Sequence, residues 1–229
     1  MEKITINELI EFREKTSEKS KKNFAFKLKN RKTKEKSDDD KSGGGNYWSI
    51  STSSIYNTFK FGKNDYYDEK IEDVEERQQA TDVEKDIIMY QRNLDILSNF
   101  KEFEILNLRP DNIEKFETIK KSQKTLDIRS LPIYLNPNLV FFFERNGKKE
   151  VGALLLVPKL DGYKKSQLGM FCEVLHKFLL THYSNDLQIS EDFCITIDTY
   201  NAQKLTYEDL VKEKIPLLIN QTIDEIKRI

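Results

Sequence analysis

The dipeptide Asn146-Gly147 constrains this chain most, because it stands between two dense apolar runs, Leu139–Phe143 and Val151–Val157. Both central positions of a type I′ turn need positive φ, which asparagine and glycine tolerate. The two runs are therefore read as a β-hairpin. Around it, Leu131 to Leu135 reads as an earlier strand and Asn136-Pro137-Asn138 as a turn. Pro158 ends the strand Val151–Val157, and Asp161-Gly162 makes the next turn. Lys164 to Tyr183 then carries Leu168, Phe171, Cys172, Leu175, Phe178 and Leu179 at helical spacing. Phe193 to Thr199 follows as a further strand, and Ile215, Leu218, Ile219, Ile223, Ile226 and Ile229 mark a last helix beginning near Pro216. The run Phe141-Phe142-Phe143 is expected in a strand buried on both faces.

Upstream of this unit the chain is polar. Thr5 and Glu8 form a capping box, so a helix is expected from Ile6 towards Lys21, with Ile6, Leu9, Ile10 and Phe12 as its apolar face. Residues 1–30 make an N-terminal helix and basic arm, and residues 31–46 read as a flexible low-complexity loop of lysines, three aspartates and three glycines. Tyr47 and Trp48 open a strand-like stretch that passes into a short helix through Ile55 and Phe59. A helical insert spans 68–124: a long helix from Asp68 to Phe100, interrupted near Thr81, then a polar connector broken at Arg109-Pro110. Residues 47–229 form one domain, of α/β or α+β class, with a central mixed four-stranded sheet flanked by helices.

Charge is balanced overall, 38 basic against 39 acidic side chains, and its distribution carries the information. From Arg13 to Lys36 eleven Lys or Arg stand against three Glu, and from Asp65 to Asp86 ten acids stand against three bases. In the arm, Lys21, Lys22, Lys27, Lys29, Arg31 and Lys32, with Phe24 and Phe26 interleaved, suit a phosphate backbone with stacking aromatics or a solvated helix face. The acidic segment, around Glu72 to Glu84, suits a protein partner. No stretch approaches the roughly 20 apolar residues of a membrane helix, and the N-terminus has no apolar leader, so a cytoplasmic location is expected without a membrane role. Cys172 and Cys194 read as buried and inert, and His176 and His182, six apart, as packing or solvated residues. Ser42-Gly43-Gly44-Gly45 lacks the Lys-Ser/Thr of a phosphate loop and reads as a tether.

The element order, a hairpin feeding a third strand and then a helix, resembles the core of the PD-(D/E)XK nuclease superfamily and its RecB-like exonuclease branch. That resemblance implies a restriction-endonuclease-like core, with an acid at the start of the second core strand and an acid-x-Lys pair at the end of the third around a divalent metal. In this chain Asn138 falls on the first acid and Val157-Pro158-Lys159 on the pair. Gln167 and Phe171 match the glutamine and aromatic of the following helix, and the upstream STSSIYNTF resembles the S-x-S segment. The lysine is kept and both acids are replaced, which implies a remnant site of Asn138, Lys159 and Gln167 that needs no cofactor and holds no metal. Such a scaffold acts by binding DNA, RNA or a nucleic-acid-processing partner. The alternative is an active Mg²⁺-dependent nuclease with carboxylates relocated to Glu150, Asp161 or Asp198; a further one is a protein interaction module. Oligomeric state is left open.

Overall fold

The structure is a computed structural model that describes residues 2–31 and 47–229. Its centre is a five-stranded mixed sheet rather than the four strands expected. The strands are β2 (Ile113–Glu117), β5 (Leu139–Arg145), β6 (Lys148–Val157), β7 (Gln188–Asp198) and β8 (Gln203–Thr206), and they lie in that order. Asn146 and Gly147 have φ of 54° and 73°, and the hairpin they close runs in register from Arg145–Lys148 to Leu139–Leu154. Only β6 and β7 are parallel; the helix α6 (Lys165–Tyr183) makes the crossover between them.

One strand of this sheet lies where a connector was expected. The strand β2 sits at the sheet edge, where half its residues face solvent, so IEKFE carries little apolar signal. It takes the place beside the hairpin that Leu131–Leu135 was expected to fill. That stretch instead forms β4 (Leu131–Tyr134) in a second, three-stranded sheet, between β1 (Ile4–Thr5) and β3 (Thr125–Ile128). Leu131 and Ile133 point inward there, under the N-terminal helices.

The helices cover both faces of the main sheet. On one face Ile55 and Phe59 of α3 (Ser49–Phe61) and Ile96, Leu97 and Phe100 of α5 (Glu84–Glu102) cover Phe141, Phe143, Leu154, Leu156 and Ile195. Gly152 makes room for this layer, since a Cβ there would stand 2.6 Å from the Phe141 ring and 2.8 Å from the Phe193 carbonyl. On the other face α6 covers Val140, Val151, Ala153 and Leu155, and α8 (Ile219–Arg228) packs on α1 and α6. Phe141 and Phe143 are buried and Phe142 half-buried on the opposite face, as a doubly covered strand requires.

Two helical expectations change, and the interruption expected near Thr81 is found. The first helix divides into α1 (Ile6–Glu14) and α2 (Glu18–Asn30), because Ser17 starts a new helix by accepting from the Ser20 amide at 3.2 Å. Tyr47-Trp48 leads into α3 and not a strand: Ser51, Ser54, Ile55, Thr58 and Phe59 recur at helical spacing, and the Ser51 and Thr52 hydroxyls donate to the Trp48 carbonyl. The long helix is a helical hairpin of α4 (Asp65–Gln79) and α5, with its break at 80–83. The C-terminal region holds α7 (Tyr207–Lys212) before α8. Among the described residues no helix is long and apolar enough to cross a membrane.

Candidate functional site

The strand directions bring the start of β5, the end of β6 and the end of β7 to one end of the sheet. Sheets with parallel neighbours place ligand crevices outside the carboxyl ends of those strands. A recess of about 540 Å³ lies there, and its walls include Glu14, Tyr47, Trp48, Arg92, Lys159 and Tyr163.

Lys159 follows β6, is exposed, and holds its Nζ 4.9 Å over the Tyr163 ring. Tyr163 is fixed from three sides. Its amide donates to Asp198 Oδ2 at 2.8 Å, its hydroxyl donates to Asn7 Oδ1 at 2.9 Å, and its ring meets Phe171 edge-on at 5.1 Å. Burial pushes the Tyr163 hydroxyl up to about 12, so it is neutral at physiological pH. Gln167 sits in the first turn of α6, where its Oε1 accepts from the Lys164 amide at 2.9 Å. Its Nε2 donates to Glu14 Oε1 at 2.7 Å, which carries a carboxylate from α1 into the same corner. Lys159 and Phe171 thus meet through Tyr163, and Gln167 reaches the same recess through Glu14.

Asn138 does not join them. Its amide donates to the Leu154 carbonyl at 2.9 Å and its Oδ1 accepts from the Leu156 amide at 2.7 Å, so it extends the hairpin ladder beyond its last residue pair. It lines a second recess of about 290 Å³ with Tyr56, Lys60, Glu117, Lys124 and Asn136.

The opposite wall of the first recess rests on a residue absent from the sequence reading. Asn93 of α5 is fully buried. Its Oδ1 accepts from the Ser51 amide at 3.0 Å and the Ser51 hydroxyl at 2.8 Å, while its Nδ2 donates to the carbonyls of Tyr47 at 2.8 Å and Met89 at 2.9 Å. Next to it, Arg92 donates to the Tyr47 hydroxyl at 2.8 Å. Trp48 lies edge-on to both Tyr47 and Tyr200. The available signal was an amide in the apolar half of a helix, beside Leu94 and Leu97.

The three relocated carboxylates do not converge. Glu150 pairs with Gln188 across β6 and β7, seven residues from the Val157–Asp198 pair, which is about 23 Å at 3.3 Å per residue. There it is buried and held by Arg145 at 2.7 Å and the Ser190 hydroxyl at 2.7 Å. Asp192 completes that network, and although burial opposes it, Arg145 holds its carboxyl below the usual range. Asp161 is exposed in a turn at φ 63°. Asp198 is fully buried and accepts from the amides of Tyr163 and Tyr200 and from Asn201 Nδ2 at 3.0 Å. Glu11 and Glu14, which line the first recess, are engaged by Lys15 and Gln167. A hard cation wants several convergent carboxylate oxygens, and among the described residues no group of three or more His, Cys, Asp or Glu could hold a metal ion. Mg²⁺ does not fit this donor set.

The basic arm is divided in use. Lys21 pairs with Glu225 at 2.6 Å, Lys29 donates to the Lys227 carbonyl at 3.3 Å, and Arg31 pairs with Glu8 and Glu2, so these three fasten α2 to the rest of the protein. Lys22 and Lys27 are exposed, as is Phe26 at 69%. Lys32, the rest of the loop 32–46 and the Ser42–Gly45 tether lie outside the described residues. Cys172 and Cys194 are buried free thiols. His176 is buried and stacked on Tyr207, and His182 reaches the Gln123 carbonyl. Comparison with known proteins finds no match, whether to a family model, a curated protein or a solved structure.

Proposed function

We propose that the chain binds nucleic acid through the recess at the ends of β6 and β7, as a PD-(D/E)XK-like scaffold that has lost its metal site. One observation carries this reading: Lys159 and Arg92 share one recess with the aromatic pair Tyr47 and Trp48, while the carboxylates that cleavage needs are dispersed or already hydrogen-bonded. Cations over a polyanion and aromatic faces for bases are the two components of nucleic-acid binding that does not depend on sequence. The hairpin, third strand, helix and parallel strand support the family reading, with Asn138 at the start of β5 and Lys159 just past the end of β6. The exposed Lys22 and Lys27 add charge on α2.

The test incubates single- and double-stranded DNA and RNA with the protein, with and without Mg²⁺ or Mn²⁺, alongside Lys159→Ala. Binding that weakens with salt, is reduced in the variant and yields no cleavage is the expected result. Cleavage abolished by Lys159→Ala would establish the active enzyme instead.

A second reading rests on a separate observation. The α4–α5 hairpin exposes Val83, Ile87 and Ile88 within its acidic segment, a surface that suits a basic protein partner. It becomes the preferred account if no nucleic acid binds.

A further inference from the structure

Asn138 belongs to the smaller recess, and the composition of that recess points to an anion. Three elements form it: α3, the end of β2 with the segment 118–124, and the turn 136–138. On α3 the sole charge is Lys60. The segment Thr118–Thr125 reads TIKKSQKT, three lysines without an acid. Of these, Lys124 lines the recess, and Lys120 and Lys121 stand exposed on the same segment. The one carboxylate in the lining, Glu117, accepts a hydrogen bond from the Tyr183 hydroxyl at 2.9 Å. Lys60 Nζ donates only to the Tyr56 hydroxyl, at 3.2 Å. Among the described residues Lys124 Nζ, Asn138 Nδ2 and the Asn136 side chain make no hydrogen bond, so the recess presents ammonium and amide donors beside the single carboxylate of Glu117.

Both recesses lie at the same end of the sheet. Asn138 grips β6 at Leu156, one residue before that strand ends, and Lys159 follows just past its end. We infer that Lys60, Lys124 and the two asparagines form a second phosphate subsite, and that a single-stranded polynucleotide lies along the end of the sheet, its bases against Tyr47 and Trp48 and its backbone continuing into this recess. The inference rests on the nucleic-acid reading of the larger recess and adds to it a path along the end of the sheet.

The experiment measures anisotropy of labelled oligothymidylate and oligouridylate, about 4 and about 12 nucleotides long, at several salt concentrations. The proteins are the wild type, Lys60→Gln/Lys124→Gln and Lys159→Ala. The wild type is expected to bind the long strand more tightly than the short one. The double variant is expected to keep short-strand affinity, which also shows that it folds, and to lose the gain from length. Its log–log salt slope for the long strand should fall by about 1.4, at about 0.7 per single-strand phosphate for two lost contacts. Lys159→Ala should weaken both lengths. A length gain that survives in the double variant, or equal losses at both lengths, overturns the second subsite while leaving the larger recess in place. No binding of either strand by the wild type removes both proposals.

Discussion

Replacing Asn93 by alanine tests how the recess is built. The side chain is fully buried and makes four hydrogen bonds. Two of its partners have other bonds: the Ser51 hydroxyl also donates to the Trp48 carbonyl at 3.3 Å, and the Met89 carbonyl lies one helical turn before residue 93 in α5. The other two, the Ser51 amide in the first turn of α3 and the Tyr47 carbonyl, lose the partner that Asn93 supplies. At about 1–1.5 kcal/mol for each bond lost, with a further penalty for burying an unpaired group, the substitution should cost about 2–4 kcal/mol. For a chain of this size each kcal/mol shifts Tm by about 2–4 °C, so a fall of about 4–16 °C is expected. The effect should also be local, because these bonds hold the segment that carries Trp48, the single tryptophan. Circular dichroism gives the melting shift, and tryptophan emission should move to the red and become more quenchable by acrylamide. Asn93→Asp should be at least as damaging at neutral pH, since it turns a carboxylate oxygen towards the Tyr47 and Met89 carbonyls. A melting temperature within about 2 °C of wild type, with unchanged emission, would refute the view that this amide organises the wall of the recess.

Two other predictions concern the core and its titration. Gly152→Ala should destabilise by about 1–3 kcal/mol in chemical denaturation, because the new methyl meets the Phe141 ring and the immovable Phe193 carbonyl; adding Phe141→Leu should recover part of the loss and not all of it. Burial lowers the His176 imidazole to about 4, so the unfolded chain takes up a proton there first as pH falls. Stability from this group is therefore full above about pH 6.5 and lost between there and about pH 4, by about 3 kcal/mol. In matched melts His176→Phe should flatten that part of the stability profile while keeping the ring stack on Tyr207, and an unchanged slope would count against the burial of a neutral imidazole.

What the sequence disclosed depended on how local each cause was. The hairpin was legible because its turn chemistry and its apolar runs agree, and α6 because its apolar stripe has helical spacing over five turns. The strand β2 was not, since an edge strand with solvent on one side needs no apolar alternation, and β1 is two residues long. At the site, the eight-position separation of Lys159 and Gln167 was readable as spacing. Glu14, which Gln167 meets across 153 positions of sequence, was not. Asn138 was taken for a vacated ligand position and instead bonds the neighbouring strand through its backbone and its amide oxygen, a pairing that exists only once the hairpin has formed.

The three-stranded sheet sets an order of assembly. Ile4 pairs with Ile133, and α1 and α2 are fastened through Arg13 to Thr222 and through Lys21 to Glu225. During synthesis, at about 5–20 residues per second, the N-terminal helices have no docking surface until those distant residues have left the ribosome. Ile6, Leu9, Ile10 and Phe12, all buried in the finished protein, stay uncovered for that interval. The hairpin and α6 can form from nearby contacts in the meantime, so α1 and α2, although made before them, dock after them.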